Sequence, residues 1–253
     1  TALNKMFYGC ASLADNGMAF QAGFDTSGIS DFTYMFANSG AAADISAFTI
    51  SDSANLESMF EGCKGSTVTL PSSGVKPGNL KNTFKGSSFN TLDFTGWDMT
   101  KVSTLEGTFK DAASLTGITI DSWDLASCTN MDETFMNCAV LSNSSSAPFD
   151  AGKIITSKNL TTLKRTFAGC YALSEINLDR FYTSNVTDMT EMFAMNTDSS
   201  KHSALKDIKF GATYDTARVS SMNKMFYECE SLETLEGIDK FKTFNVSDME
   251  YMF

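Results

Sequence analysis

A five-residue signature, apolar-x-x-(Met/Thr)-Phe, recurs along this chain and leaves it few folds other than a solenoid. It ends on Phe7, Phe36, Phe60, Phe84, Phe109, Phe135, Phe167, Phe193, Phe226 and Phe253, at spacings of 29, 24, 24, 25, 26, 32, 26, 33 and 27 residues. The position four before each anchor Phe is always apolar (Leu3, Phe32, Leu56, Leu80, Leu105, Met131, Leu163, Met189, Met222, Met249), and the position immediately before it is only Met or Thr. A unit this short cannot bury an apolar face alone, so neighbouring units must stack and share one continuous core. Residues 1–253 therefore read as one repeat domain. The pattern is already running at Leu3 and still running at Phe253, which suggests a piece of a longer polypeptide.

Apolar residues at i, i+3 and i+4 share one face of a helix, so each signature predicts one or two helical turns packed inward. Polar stretches upstream, such as Asn245-Val246-Ser247-Asp248, offer capping side chains. Gly and Cys follow several anchors, and then come brief alternations such as Leu92-Asp93-Phe94, Ile118-Thr119-Ile120, Ile176-Asn177-Leu178 and Ile208-Lys209-Phe210. Their period of two predicts a short strand. An aromatic stands twelve residues before many anchors (Phe24, Phe48, Trp97, Trp123, Phe181, Tyr214, Phe241). One strand and one short helix every 24 to 27 residues predict an α/β fold, a right-handed leucine-rich-repeat-like solenoid of about ten coils with parallel strands. Extra polar residues at Ser142 to Pro148 and Thr197 to Ser203 predict surface loops on two coils.

Charge narrows the partners. Nineteen Lys and Arg against thirty Asp and Glu give a net charge of −11, whose field repels phosphate backbones and anionic lipid. Nucleic acid is therefore excluded as the expected partner. No apolar run approaches the ~20 residues of a membrane span, so this segment is not expected to insert directly.

The segments Asn185-Val186-Thr187-Asp188-Met189-Thr190-Glu191-Met192-Phe193 and Met222-Asn223-Lys224-Met225-Phe226-Tyr227-Glu228-Cys229-Glu230-Ser231-Leu232 resemble the repeats of BspA-like leucine-rich-repeat surface proteins. So does Phe24-Asp25-Thr26-Ser27, and the resemblance spans the whole chain. It implies an extracellular or cell-surface protein that adheres to host or matrix proteins. The departures are Thr in place of Met at Thr83, Thr108, Thr134 and Thr166, and Ser39, Ser87, Ala112 and Asn196 in place of Cys.

Other candidate sites have a plainer reading. Cys10, Cys63, Cys138, Cys170 and Cys229 each follow an anchor by three residues, and Cys128 takes a Val position. Register alone explains them as small core residues with free thiols, the alternative being a disulfide between Cys138 and Cys170 in adjacent coils. Zinc has no paired C-x-x-C and only His202 to draw on, and His202 reads as a solvated loop residue. Asp25, Asp98, Asp124 and Asp215 follow the aromatics and read as turn formers rather than a calcium ladder. Trp97 and Trp123 read as interior rings rather than a carbohydrate platform. The threonine run is explained by hydroxyls bonded to their own helical turn.

No nucleophile, base and orienting group recur together, so the expected function is non-catalytic and needs no cofactor or metal. The middle residues of the strands should point outward and bind: Asp44, Thr69, Asp93, Thr119, Asn177 and Lys209. The expectation is a protein-binding adhesion module, the alternative a structural spacer or self-associating subunit of an extracellular structure.

Overall fold

The computed structural model describes residues 2–13, 18–20, 24–40, 43–146, 148–195 and 201–253. Asn196, Ala147 in the first enlarged coil and residues 197–200 in the second lie outside the described residues. The strands are β1 (Met18–Ala19), β2 (Ala43–Asp44), β3 (Ala54–Asn55), β4 (Val68–Thr69), β5 (Pro77–Asn79), β6 (Thr91–Asp93), β7 (Gly117–Thr119), β8 (Trp123–Leu125), β9 (Ile154–Thr156), β10 (Glu175–Leu178), β11 (Asp207–Phe210) and β12 (Thr234–Glu236). They pair in parallel in the orders β1-β2-β4, β3-β5, β6-β7, β8-β9 and β10-β11-β12.

The result is a parallel β-solenoid of about seven turns with almost no helix, not an α/β leucine-rich-repeat solenoid of ten coils with a helix in each. Among the described residues the helical ones form two short 3₁₀ turns, Ala151–Lys153 and Ile238–Lys240. The coil count differs because strand ladders cover only part of the stack. Elsewhere neighbouring coils meet through single bridges, such as Thr104↔Asn130 and Asn130↔Thr162.

The signature misleads because i, i+3, i+4 spacing also suits a run of β-turns. Around Phe60, the N–H groups of Met59, Glu61 and Cys63 each donate three residues back, to Leu56, Ser58 and Phe60, at 3.1 Å. The alternate N–H groups of Leu56, Ser58, Phe60 and Gly62 donate instead to Asn79, Lys81, Thr83 and Lys85 of the next coil, at 2.7 to 3.0 Å. An α-helix would keep every such bond within its own segment. Five residues form only a marginal helix, whereas stacking supplies a partner for every second amide. This path requires a left-handed residue two before the anchor, as at Tyr34, Ser58, Asn82, Gly107, Glu133 and Arg165, with φ between 53 and 60°.

The ten anchor rings stack face to face along the axis, with centroids 5.2 to 5.9 Å apart and planes 2 to 18° from parallel. Rings from the opposite wall meet them edge-on, as Phe94 does Phe109 at 84°. Trp97 and Trp123 are both buried, and Trp97 Nε1 donates to the Pro71 carbonyl at 2.9 Å.

Buried threonines join the coils. Thr108, Thr134 and Thr166 each place their hydroxyl 2.7 to 2.8 Å from the carbonyl three residues back and 2.9 to 3.1 Å from a carbonyl of the preceding coil. Thr83 makes the inter-coil bond to Leu56 at 3.0 Å. The hydroxyls of Thr108, Thr134 and Thr166 thus bond their own turn as expected, though that turn is not helical and the bond is shared between coils, whereas Thr83 bonds only the neighbouring coil. Thr26, Thr156, Thr183 and Thr216 form a second column, each accepting an N–H from the next coil and donating to a carbonyl there.

Candidate binding surface

Parallel strands only two to four residues long leave few side chains outside the core, and stacking sets those side chains in rows. The six candidate residues fall on such rows. Asp44 on β2 is in register with Thr69 on β4, Asp93 on β6 with Thr119 on β7, and Asn177 on β10 with Lys209 on β11. Thr69 and Asp93 are exposed and the other four are half-buried. The structure therefore brings them together as three pairs on three sheets, not as one pocket.

The column continues between these sheets. Asn90 N–H reaches the Ser66 carbonyl at 3.1 Å, Thr116 N–H reaches Asn90 at 2.8 Å, and Ser142 N–H reaches Thr116 at 3.1 Å. In the enlarged coil the Asn143 side chain substitutes for a main-chain acceptor, taking the Ser174 N–H at 3.0 Å. Lys206 N–H then donates to Ser174 at 2.9 Å. These bonds link β4, β6, β7, β10, β11 and β12 into one outer surface.

Several candidates also hold their own coil in shape. Asp44, Asp93 and Asn177 accept the N–H two residues on, at 2.9 to 3.0 Å, which fixes the turn that ends each strand. The side-chain hydroxyl and N–H of Ser46 hold the Asp44 carboxyl below its ordinary range. Lys209 pairs with Asp179 at 2.9 Å, and that bond raises the ammonium above its usual value.

The sequence reading missed β12. Glu236 lies in register with Lys209, and Thr234 with Asp207, completing a three-stranded patch over a groove of about 420 Å³. The period-two segment Thr234-Leu235-Glu236 was the available signal. Around this groove Asp150, Glu175, Asp207 and Glu236 give the surface an acidic character.

The remaining candidates are placed as follows. Cys63, Cys128, Cys138 and Cys170 are buried, Cys229 is half-buried, and Cys10 is exposed, so the expectation of six core thiols fails at Cys10. All six are free. Cys138 and Cys170 donate to the Phe109 and Phe135 carbonyls at 3.0 and 3.1 Å, repeating one bond in successive coils. Burial pushes the Cys128 thiol up to about 11 and the Cys170 and Cys229 thiols up to about 12. His202 is exposed, with Nδ1 2.7 Å from Glu230 Oε1. Asp25, Asp98 and Asp215 accept the N–H two residues on, as turn formers do. Among the described residues no three His, Cys, Asp or Glu side chains converge to hold a metal ion. No helix there is long and apolar enough to cross a membrane.

No curated protein and no solved structure matches the chain. Residues 1–72, 78–202 and 139–253 match the family described as "Mycoplasma protein of unknown function, DUF285". Three matches, the last two overlapping, across a stack whose signature recurs from Phe7 to Phe253 are what a family defined by its repeats should give, and the chain belongs to that family.

Proposed function

We propose that the chain is a non-catalytic interaction module of the cell surface or the extracellular space, binding a protein partner through the outer face of its strands. The observation that carries this reading is the outer column itself, in which side chains on β2, β4, β6, β7, β10 and β11 are held in register by main-chain bonds. A rigid row of polar groups loses little entropy on docking, so weak contacts can add along it. The BspA-like motif supports adhesion to a host or matrix protein as the role. The module works by shape and polar complementarity, without a cofactor.

The test is a binding screen of the intact protein against a panel of extracellular-matrix proteins, repeated with Thr69→Arg/Thr119→Arg. Loss of the captured partner with an unchanged melting temperature is expected. A partner held equally well by the variant would move the site off this face, and turnover in a hydrolase panel abolished by His202→Ala would overturn the non-catalytic reading.

A further inference from the structure

A second surface runs parallel to the strands at the corner of each coil. Six successive corners, from Thr100-Lys101-Val102-Ser103 to Phe244-Asn245-Val246-Ser247, contain no carboxylate and carry the cations Lys101, Lys158 and Arg218. In a chain with thirty acidic residues this strip stands apart. Its last positions, Ser103, Thr129, Thr161, Thr187, Ser220 and Ser247, are all exposed, and each hydroxyl donates to a carbonyl of the preceding coil at 2.9 to 3.4 Å. With their protons committed, the hydroxyls turn lone pairs outward.

A shallow groove of about 500 Å³ follows the strip, lined by Asn159, Thr161, Asn185, Thr187, Arg218 and Asn245. The Asn185 and Asn245 amides are braced on the Lys158 and Ala217 carbonyls, both at 2.7 Å, and Arg218 donates to Asn185 Oδ1. At the corner of the last coil the Phe244 ring is 73% exposed. The groove therefore presents fixed acceptors and amide and guanidinium donors, with one exposed ring, Phe244, next to Asn245 at its end.

We propose that this corner groove binds an extended β-linked polysaccharide lying along the solenoid axis. Coils succeed one another every ~4.8 Å, close to the length of one pyranose unit in such a chain, so each sugar would meet one corner. Its hydroxyls or acetamido groups donate to the corner acceptors and accept from the amide and guanidinium donors, and Phe244 covers a ring face. An extended peptide repeats its side chains every ~6.6 Å and needs apolar anchor pockets, which this groove does not offer. Single-stranded nucleic acid needs successive aromatic platforms, and the strip has one.

The test titrates the intact protein with cellohexaose and with chitohexaose, reading amide chemical shifts. Saturable shifts confined to residues 158–161, 185–187, 217–220 and 244–247 are expected, with each hexasaccharide about tenfold tighter than its disaccharide. Asn159→Ala/Arg218→Ala should weaken binding about tenfold with no change in melting temperature, while Thr69→Arg/Thr119→Arg leaves it intact. Response to cellohexaose would assign the contacts to ring hydroxyls, and response to chitohexaose alone would assign them to acetamido groups. Either supports the proposal. Absence of shifts with both sugars at about 10 mM, or binding unaffected by the corner double variant, overturns it.

Discussion

At the scale of single residues, the fold depends on backbone conformations that side chains ordinarily avoid. Ser58 sits at φ 54° with its buried hydroxyl unpartnered, so two costs fall on one residue. Ser58→Gly should raise stability by about 1 kcal/mol, read by urea denaturation; a loss would mean that packing by its Cβ outweighs both. Gly96 is the opposite case. It has φ 78°, and an added Cβ would strike the Ser72 carbonyl oxygen, so Gly96→Ala should cost about 2 kcal/mol. The thiols give a further residue-scale prediction. Cys10 is exposed, while Cys63, Cys128, Cys138 and Cys170 are buried, two of them with thiols raised to about 11 and about 12. A thiol reagent at neutral pH should label Cys10 at once and those four only after denaturation. Rapid labelling of the four would mean that the coils open readily.

At the scale of the turn element, side chains two residues before successive anchors form a ladder on the surface. Arg165 lies between Glu133 at 3.7 Å and Glu191 at 2.8 Å, and Lys224 sits over the Tyr251 ring at 5.8 Å. Hydrogen bonding from Arg165, aided by its charge, lowers the Glu191 carboxyl below its usual 4.5. A lowered carboxyl contributes stability above its unfolded value and loses it as pH falls through the folded one. Glu191→Gln should therefore flatten the acid limb of stability below pH 4.5; an unchanged acid limb would show the ladder to be energetically silent. Inside the same turns, Thr134→Val would remove the hydroxyl shared between the Met131 and Leu105 carbonyls, at an expected cost of about 1 to 2 kcal/mol by thermal melting. An equal loss from a surface threonine would argue against the shared bond.

At the scale of the whole molecule, the stacked anchor rings give the stack a continuous axis. Phe109 is fully buried and stacks on Phe84 at 5.7 Å and Phe135 at 5.3 Å, so Phe109→Ala should cost about 3 to 5 kcal/mol and open the stack between coils. Hydrogen exchange would show that opening as lost protection on both sides of Phe109. The sequence by itself determined that the chain repeats, that the anchors from Phe36 to Phe226 line the interior and that segments such as Ile176-Asn177-Leu178 are strands, because burial follows side-chain type and period. It also located Asp44, Thr69, Asp93, Thr119, Asn177 and Lys209 on strands. It did not determine the conformation between strands. An i, i+3, i+4 pattern satisfies both a helix and a run of β-turns, and left-handed positions held by Tyr34, Glu133 and Arg165 carry no glycine signal. Only the tertiary structure decided between them, because every second amide finds its acceptor on the neighbouring coil, a partner that exists once the chain has stacked.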